Sequence, residues 1–165
     1  MSEPRDLTSI LDVLLSEQVS FVLVGALAAV AQGAPLMTQD VDIVHARTPD
    51  NLDRLMTGLA KLNARYRGRP PEQPLLPDRR ALATTGHSLL MTDLGPLDCL
   101  GAIEGARDYD LLVPLSVEVD LDGRVMRVLG LETIVAIKRA SQHQKDRLAL
   151  PVLEATLRRI SECDH

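Results

Sequence analysis

The sequence predicts an α+β domain, a mixed β-sheet flanked by helices, and three observations carry that reading. Amphipathic helical segments alternate with short apolar strands at the start, two hairpin signals follow one another in the middle, and helical periodicity returns at the end. That order, α, β, α, β, α, then β-rich, then α, differs from the regular alternation of a doubly wound sheet. The 165 residues and 18.0 kDa correspond to a single domain over 1–165, on the usual scale of roughly 100–200 residues per domain. With 45% apolar and 25% charged residues the composition is that of a folding globular chain, not of a disordered or collagen-like one.

Each element has its own signal. Leu7, Ile10, Leu11, Leu14 and Leu15 keep helical spacing behind Asp6, a ready N-cap, so 7–17 reads as an amphipathic helix. Ser20 to Val24 is a short run of strand formers closed by Gly25, and the alanine-rich Ala26 to Gln32 is a helix stopped by Gly33. Val41 to His45 is a second strand. Thr48, Pro49 and Asp50 supply a cap, a first-turn proline and an acidic N-terminal residue for a helix whose Leu52, Leu55, Met56, Leu59 and Leu62 continue to about residue 63. RYRGRPPEQPLLPDRR then reads as a mobile Pro/Arg-rich loop over about 64–80. His87–Thr92 and Pro96–Leu100 flank the turn Asp93-Leu94-Gly95, and Leu115–Leu121 and Arg124–Leu129 flank Asp122-Gly123, each pair a hairpin. Leu131 to Ala140 and about Lys145 to Ile160 close the chain as helices, with Pro151 kinking or restarting the last.

Composition excludes several functions. Eighteen Lys+Arg against 23 Asp+Glu leave a net charge of -5, so nothing general draws the chain to a phosphate backbone. Phe21, Tyr66 and Tyr109 are the only aromatic residues, too few to build a base-stacking platform. Cys99 and Cys163 stand far apart with no CxxC, and no leader pattern precedes the first helix, which points to a reduced, cytoplasmic protein. The nearest approach to a membrane span, Phe21 to Ala31, falls short of the ~18 consecutive apolar residues required.

Chemistry concentrates in VGALAAVAQGAPLMTQDVDIV. Asp40 and Asp42 are two apart on a strand and share a face, about 6.6 Å apart at roughly 3.3 Å per residue. Alone, such a pair reads equally as a solvated edge; the apolar Val41, Ile43 and Val44 mark a core strand and favour a hard cation such as Mg2+. Gly25 opens a strand-to-helix turn suited to an anion, although a tight turn with close alanine packing explains it as well.

Strand-Gly-small-x-Ala, a helix ending in Gly, then Thr38-x-Asp40-x-Asp42-apolar resembles the signature of the minimal nucleotidyltransferases of the DNA polymerase β-like superfamily. GPLDCLG resembles the family strand with a third acidic residue, Asp98, and LETIVAIKRASQHQKDRLALPVL resembles its C-terminal Lys and Lys/Arg-Asp helices, so the likeness spans about residues 20–157. The subgroup it is most similar to includes the abortive-infection and toxin–antitoxin nucleotidyltransferases. The resemblance implies the nucleotidyltransferase fold and transfer of a nucleoside monophosphate from an NTP to a hydroxyl of a protein, RNA or small-molecule acceptor. It places Asp40, Asp42 and Asp98 as catalytic ligands of two Mg2+ (or Mn2+) ions, with Asp98 drawing the proton from the acceptor hydroxyl as pyrophosphate leaves. Gly25, Ala26, Thr38 and Lys138 fall on the nucleotide side. Two positions depart from the family: Ala26 stands where Gly or Ser is usual, and Leu36 where many relatives have Arg. Those departures keep an alternative open, a catalytically weak or inactive binding module such as an antitoxin or regulatory subunit with a protein partner.

For Lys138 the alternative is a solvated helix lysine, and for Asp98 a turn residue after Pro96. Asp146 reads as a partner for Lys138 or a cap of the last helix. His45, by alternation, faces away from Asp42; His87, His143 and the terminal His165 have no ligand spacing, and Cys99 reads as a small core residue. Thr84, Thr85 and Ser88 lack an Asp/His pair for nucleophilic hydrolysis. Arg65, Arg67, Arg69, Arg79 and Arg80 read as a solvated loop or as a grip on an anionic acceptor. Three carboxylates gathered together should repel and raise at least one pKa.

Overall fold

The computed structural model describes residues 6–163. Its elements in chain order are α1 (Leu7–Ser16), β1 (Phe21–Val24), α2 (Gly25–Ala31), β2 (Val41–His45), α3 (Pro49–Lys61), β3 (Arg65–Tyr66), α4 (Arg79–Leu82), β4 (His87–Thr92), β5 (Gly95–Leu100), α5 (Tyr109–Leu112), a 3-10 turn (Val113–Leu115), β6 (Ser116–Leu121), β7 (Arg124–Leu129), α6 (Leu131–Ala140) and α7 (Gln144–Cys163). The strands form a seven-stranded mixed sheet in the order β3-β4-β5-β2-β1-β7-β6. β2 runs antiparallel to β1 and parallel to β5, and β1 runs parallel to β7.

Local signals form the helices where the sequence places them. The Asp6 side chain accepts from the Ser9 N–H and caps α1, and Thr48 accepts from Asn51 N–H to cap α3, with Pro49 at the first turn. All four residues of β1 are buried although successive side chains point to opposite faces, so the centre of the sheet is covered on both sides. Ile10, Leu11 and Leu14 of α1, Leu52, Leu55 and Leu59 of α3, and Ile134 and Val135 of α6 meet β1, β2 and β7 in one aliphatic core, with Phe21 its one buried aromatic.

β4, one strand in from the edge, is different. Ser88, Leu90 and Thr92 are buried while His87 and Leu89 are exposed and Met91 is half-buried, so one face of the sheet stays open there. Leu89 pairs with Asp98 of β5.

Four sequence readings change. The stretch read as a loop over 64–80 contains β3, paired with β4 through Arg65–Met91 and Tyr66–Leu90, and the start of α4, capped by Asp78. A two-residue strand is too short to show a period, and its pairing is wholly non-local. Asp40 precedes β2 instead of lying on it. α7 runs through Pro151 as one helix from Gln144 to Cys163, without restarting. α5, four residues long, carries too few positions for a helical pattern.

No helix among the described residues is long and apolar enough to cross a membrane.

Candidate active site

Sheet register brings the distant acidic residues together. β2 and β5 run in parallel with Asp42 opposite Asp98, and β1 lies on the other side of β2 with Val24 opposite Asp42. Gly25, the next residue after Val24, therefore stands against the Asp42 side chain. Its φ of +73° is left-handed, and a Cβ built on it would lie 2.3 Å from Asp42 Oδ2. No residue but glycine meets both conditions. Asp40 comes in from the segment before β2, where Thr38 Oγ1 donates to the Asp40 carbonyl oxygen at 3.1 Å. Thr38 thus shapes the approach to β2.

Carboxylate oxygens of Asp40, Asp42 and Asp98 all lie within 4.8 Å of one another. Asp42 Oδ1 is buried and accepts no hydrogen bond among the described residues. Burial, and next the charge of Asp40, pushes the Asp42 carboxyl up to about 6, against the opposing fields of Arg67, Lys145 and Lys138. The repulsion expected from the sequence is present, with desolvation the larger cause. An unsatisfied buried carboxylate oxygen beside two further carboxylates is a donor set that fits a hard divalent cation.

Beside this cluster a cavity of about 150 Å3 is lined by Gly25, Ala26, Leu36, Lys138 and Lys145, among others. Lys138 is half-buried and paired: its Nζ donates to Asp146 Oδ1 at 2.6 Å, and Ser141 Oγ donates to the other Asp146 oxygen at 2.6 Å. Those donors hold the Asp146 carboxyl below the usual range, Lys138 first. The pair locks the α6–α7 junction against the cavity. Leu36 is part of the cavity wall, so the positive charge there comes from the two lysines. Lys145 sits in the Lys-Asp motif, yet its position on the cavity is settled only by how α7 packs.

Arg67, which the sequence offers as a solvated loop residue or a grip on an anionic acceptor, is instead paired with a carboxylate of the cluster. Its backbone N–H donates to Leu89 O, extending β3 alongside β4, and its guanidinium forms an ion pair with Asp98. Arg79 pairs with Asp53 and Arg65 with Asp93, so these three arginines are engaged by carboxylates. Arg65, Arg67 and Arg69 line a groove of about 510 Å3 under the Pro70–Pro74 segment, on the open-face side of Met91.

Other candidates leave the chemistry. His45 is fully buried, with Nε2 2.7 Å from Leu82 O; burial lowers its pKa, and it serves the core. His87 Nε2 lies 2.9 Å from Ala102 O. His165 lies outside the described residues. Burial pushes the Cys99 thiol up to about 12, so it is an inert core group, and both cysteines are free.

No family model matches the chain, and neither does the sequence of any curated protein. Solved structures do. The lincosamide antibiotic adenylyltransferase LnuA, solved with lincomycin bound, superposes with a TM-score of 0.60 at 14% identity over 90% of this chain and 94% of its own. ANT(2")-Ia in complex with adenylyl-2"-tobramycin gives 0.57 at 14% identity over 91% and 86%. A Thermotoga maritima protein assigned to the nucleotidyltransferases gives 0.54 at 20% identity over 87% and 89%. The chain has the nucleotidyltransferase fold. Within that fold the three carboxylates occupy neighbouring strands β2 and β5 and the lead-in to β2, and the glycine that opens α2 stands at the end of β1 against Asp42.

Proposed function

We propose that this chain is a nucleotidyltransferase that moves a nucleoside monophosphate from an NTP to an acceptor hydroxyl, on a protein, RNA or small molecule. The observation that carries this reading is the convergence of Asp40, Asp42 and Asp98 next to the cavity walled by Gly25, Ala26 and two lysines. The carboxylates would hold Mg2+ or Mn2+, which when bound supplies charge neutralisation for the phosphates and acidity for the hydroxyl. The side chains do the rest. Gly25 and Ala26 present almost no bulk, which leaves backbone close to the triphosphate, and Lys138 and Lys145 offset its charge. Asp98, on the open face of β5 beside exposed Leu89, faces the side from which an acceptor can arrive and takes the hydroxyl proton. The new bond joins the acceptor oxygen to the α-phosphorus as the bond to pyrophosphate breaks in line.

LnuA and ANT(2")-Ia act on antibiotics, which makes hydroxyl-bearing small molecules a natural first set of acceptors to try. Incubation with each labelled NTP, Mg2+ and cell lysate or candidate acceptors is expected to give labelled product, and Asp42→Asn to abolish it. Labelling that survives the substitution overturns the assignment. Calorimetry separates the inert-scaffold reading: Mg2+-dependent NTP binding lost in Asp40→Ala supports the enzyme, whereas no binding by the native chain points to an antitoxin or regulatory subunit on the same fold.

A further inference from the structure

We infer that Arg67 is the cation resident at Asp98 in the metal-free protein, and that a divalent ion has to displace it to use that carboxylate. The inference rests on the metal-binding reading of the Asp40–Asp42–Asp98 cluster and extends it to a residue outside the motif.

The guanidinium is ion-paired with Asp98, and the side chains are 32% and 14% exposed, so the pair is only partly screened by water. Arg67 is positioned for this by backbone geometry. Its N–H bonds to Leu89 O, and Leu89 is the register partner of Asp98, so Arg67, just past β3, lines up with Leu89 of β4 and Asp98 of β5. Its positive charge also acts on Asp42. The guanidinium is weakly held: neither its buried Nε nor Nη2 makes a hydrogen bond among the described residues, and Asp98 Oδ1 accepts none, so the contact with Asp98 is one of charge alone. The side chain also borders the groove of about 510 Å3, which gives it somewhere to go. One arginine thus offsets part of the repulsion among three carboxylates, and competes with any ion that would do the same.

The test measures Mn2+ binding by the disappearance of the free-ion electron paramagnetic resonance signal, and thermal stability in chelator, for the native chain, Arg67→Gln and Arg67→Lys. Removing the competing charge is expected to tighten Mn2+ binding by on the order of tenfold. The same change should lower the melting temperature in chelator, and saturating Mn2+ should close that gap. Arg67→Lys, which keeps charge but not the planar fork, should bind Mn2+ more tightly than the native chain and less tightly than Arg67→Gln. A merely structural arginine would weaken Mn2+ binding on removal, so unchanged or weaker binding in Arg67→Gln overturns the inference. If Arg67→Gln does not fold, binding by Arg67→Lys no tighter than native overturns it alone. Absence of Mn2+ binding by the native chain and both variants overturns the metal reading underneath it, a result distinct from binding that ignores Arg67.

Discussion

Asp42 Oδ2 stands 2.3 Å from where a side chain at Gly25 would begin, and Gly25 has φ +73°, so Gly25→Ala combines a clash with backbone strain. It is expected to cost about 1–3 kcal/mol in urea unfolding, and Asp42→Ala in the same chain should recover the steric part only, a non-additivity that a double-mutant cycle reads directly. Asp42 itself destabilises the metal-free fold. Its carboxyl is raised from 3.8 to about 6, so the stability it contributes is present below about pH 3.8 and lost as pH rises through 6. Asp42→Asn should therefore melt higher than the native chain in chelator at pH 7, by on the order of 2 kcal/mol, with the gap closing toward pH 4. His45 has the opposite sign. Its pKa is lowered, chiefly by burial; Nε2 donates to Leu82 O, and Nδ1 is buried without a partner, so protonation would strand a charge in the core. Its contribution is present above 6.5 and is lost as pH falls. His45→Gln keeps a donor without a titration, and its unfolding free energy should fall less between pH 7 and pH 5 than that of the native chain.

At the scale of elements, a buried amide, Asn51, and a half-buried one, Gln32, join what the strands leave apart. Asn51 on α3 accepts from Ser20 N–H at 2.7 Å and donates to Ser20 O and Ala46 O, tying the start of β1 to the end of β2. Asn51→Leu fits the apolar surroundings but orphans those backbone groups, so a loss of about 2–4 kcal/mol in denaturant unfolding is expected. Gln32, at the end of α2, donates to Leu129 O and accepts from Leu131 N–H, and so caps α6, whose N-cap Gly130 has no side chain to do it. The first tie holds β2, which carries Asp42, and the second joins α2, the helix that Gly25 opens, to β7 and α6. Their partners are 31 and 99 residues away, which is why no local pattern announces them.

For the whole molecule, the proposed ligands bind only the folded state, so they should report through stability. An NTP with Mg2+ at a hundred times its Kd should add about 2.7 kcal/mol, which for a chain of this size raises Tm by roughly 5–10 °C in a thermal melt. The same addition should leave Asp40→Ala unmoved. A shift with the NTP that is equally large in chelator would show that the nucleotide is held without the carboxylates.

Elements with their own periodicity or punctuation are legible in the chain: α1 behind Asp6, β2, α3 behind Thr48 and Pro49, and both hairpins around Asp-Leu-Gly and Asp-Gly. Asp40 and Asp42 are marked too, as carboxylates set among apolar strand residues, while Asp98 came from the resemblance of GPLDCLG to the family strand. Those signals are local, set by side-chain spacing and capping within a few residues. Long-range packing, by contrast, makes Asp42 and Asp98 register partners, brings Lys145 to the cavity of Lys138, puts His45 in the core and pairs Arg67 with Asp98. The physical reason is that each of these depends on pairing between segments far apart in the chain. An arginine in a proline-rich stretch has the same local chemistry whether it is solvated or paired, and β3, two residues long, becomes a strand only because β4 is there to bond it.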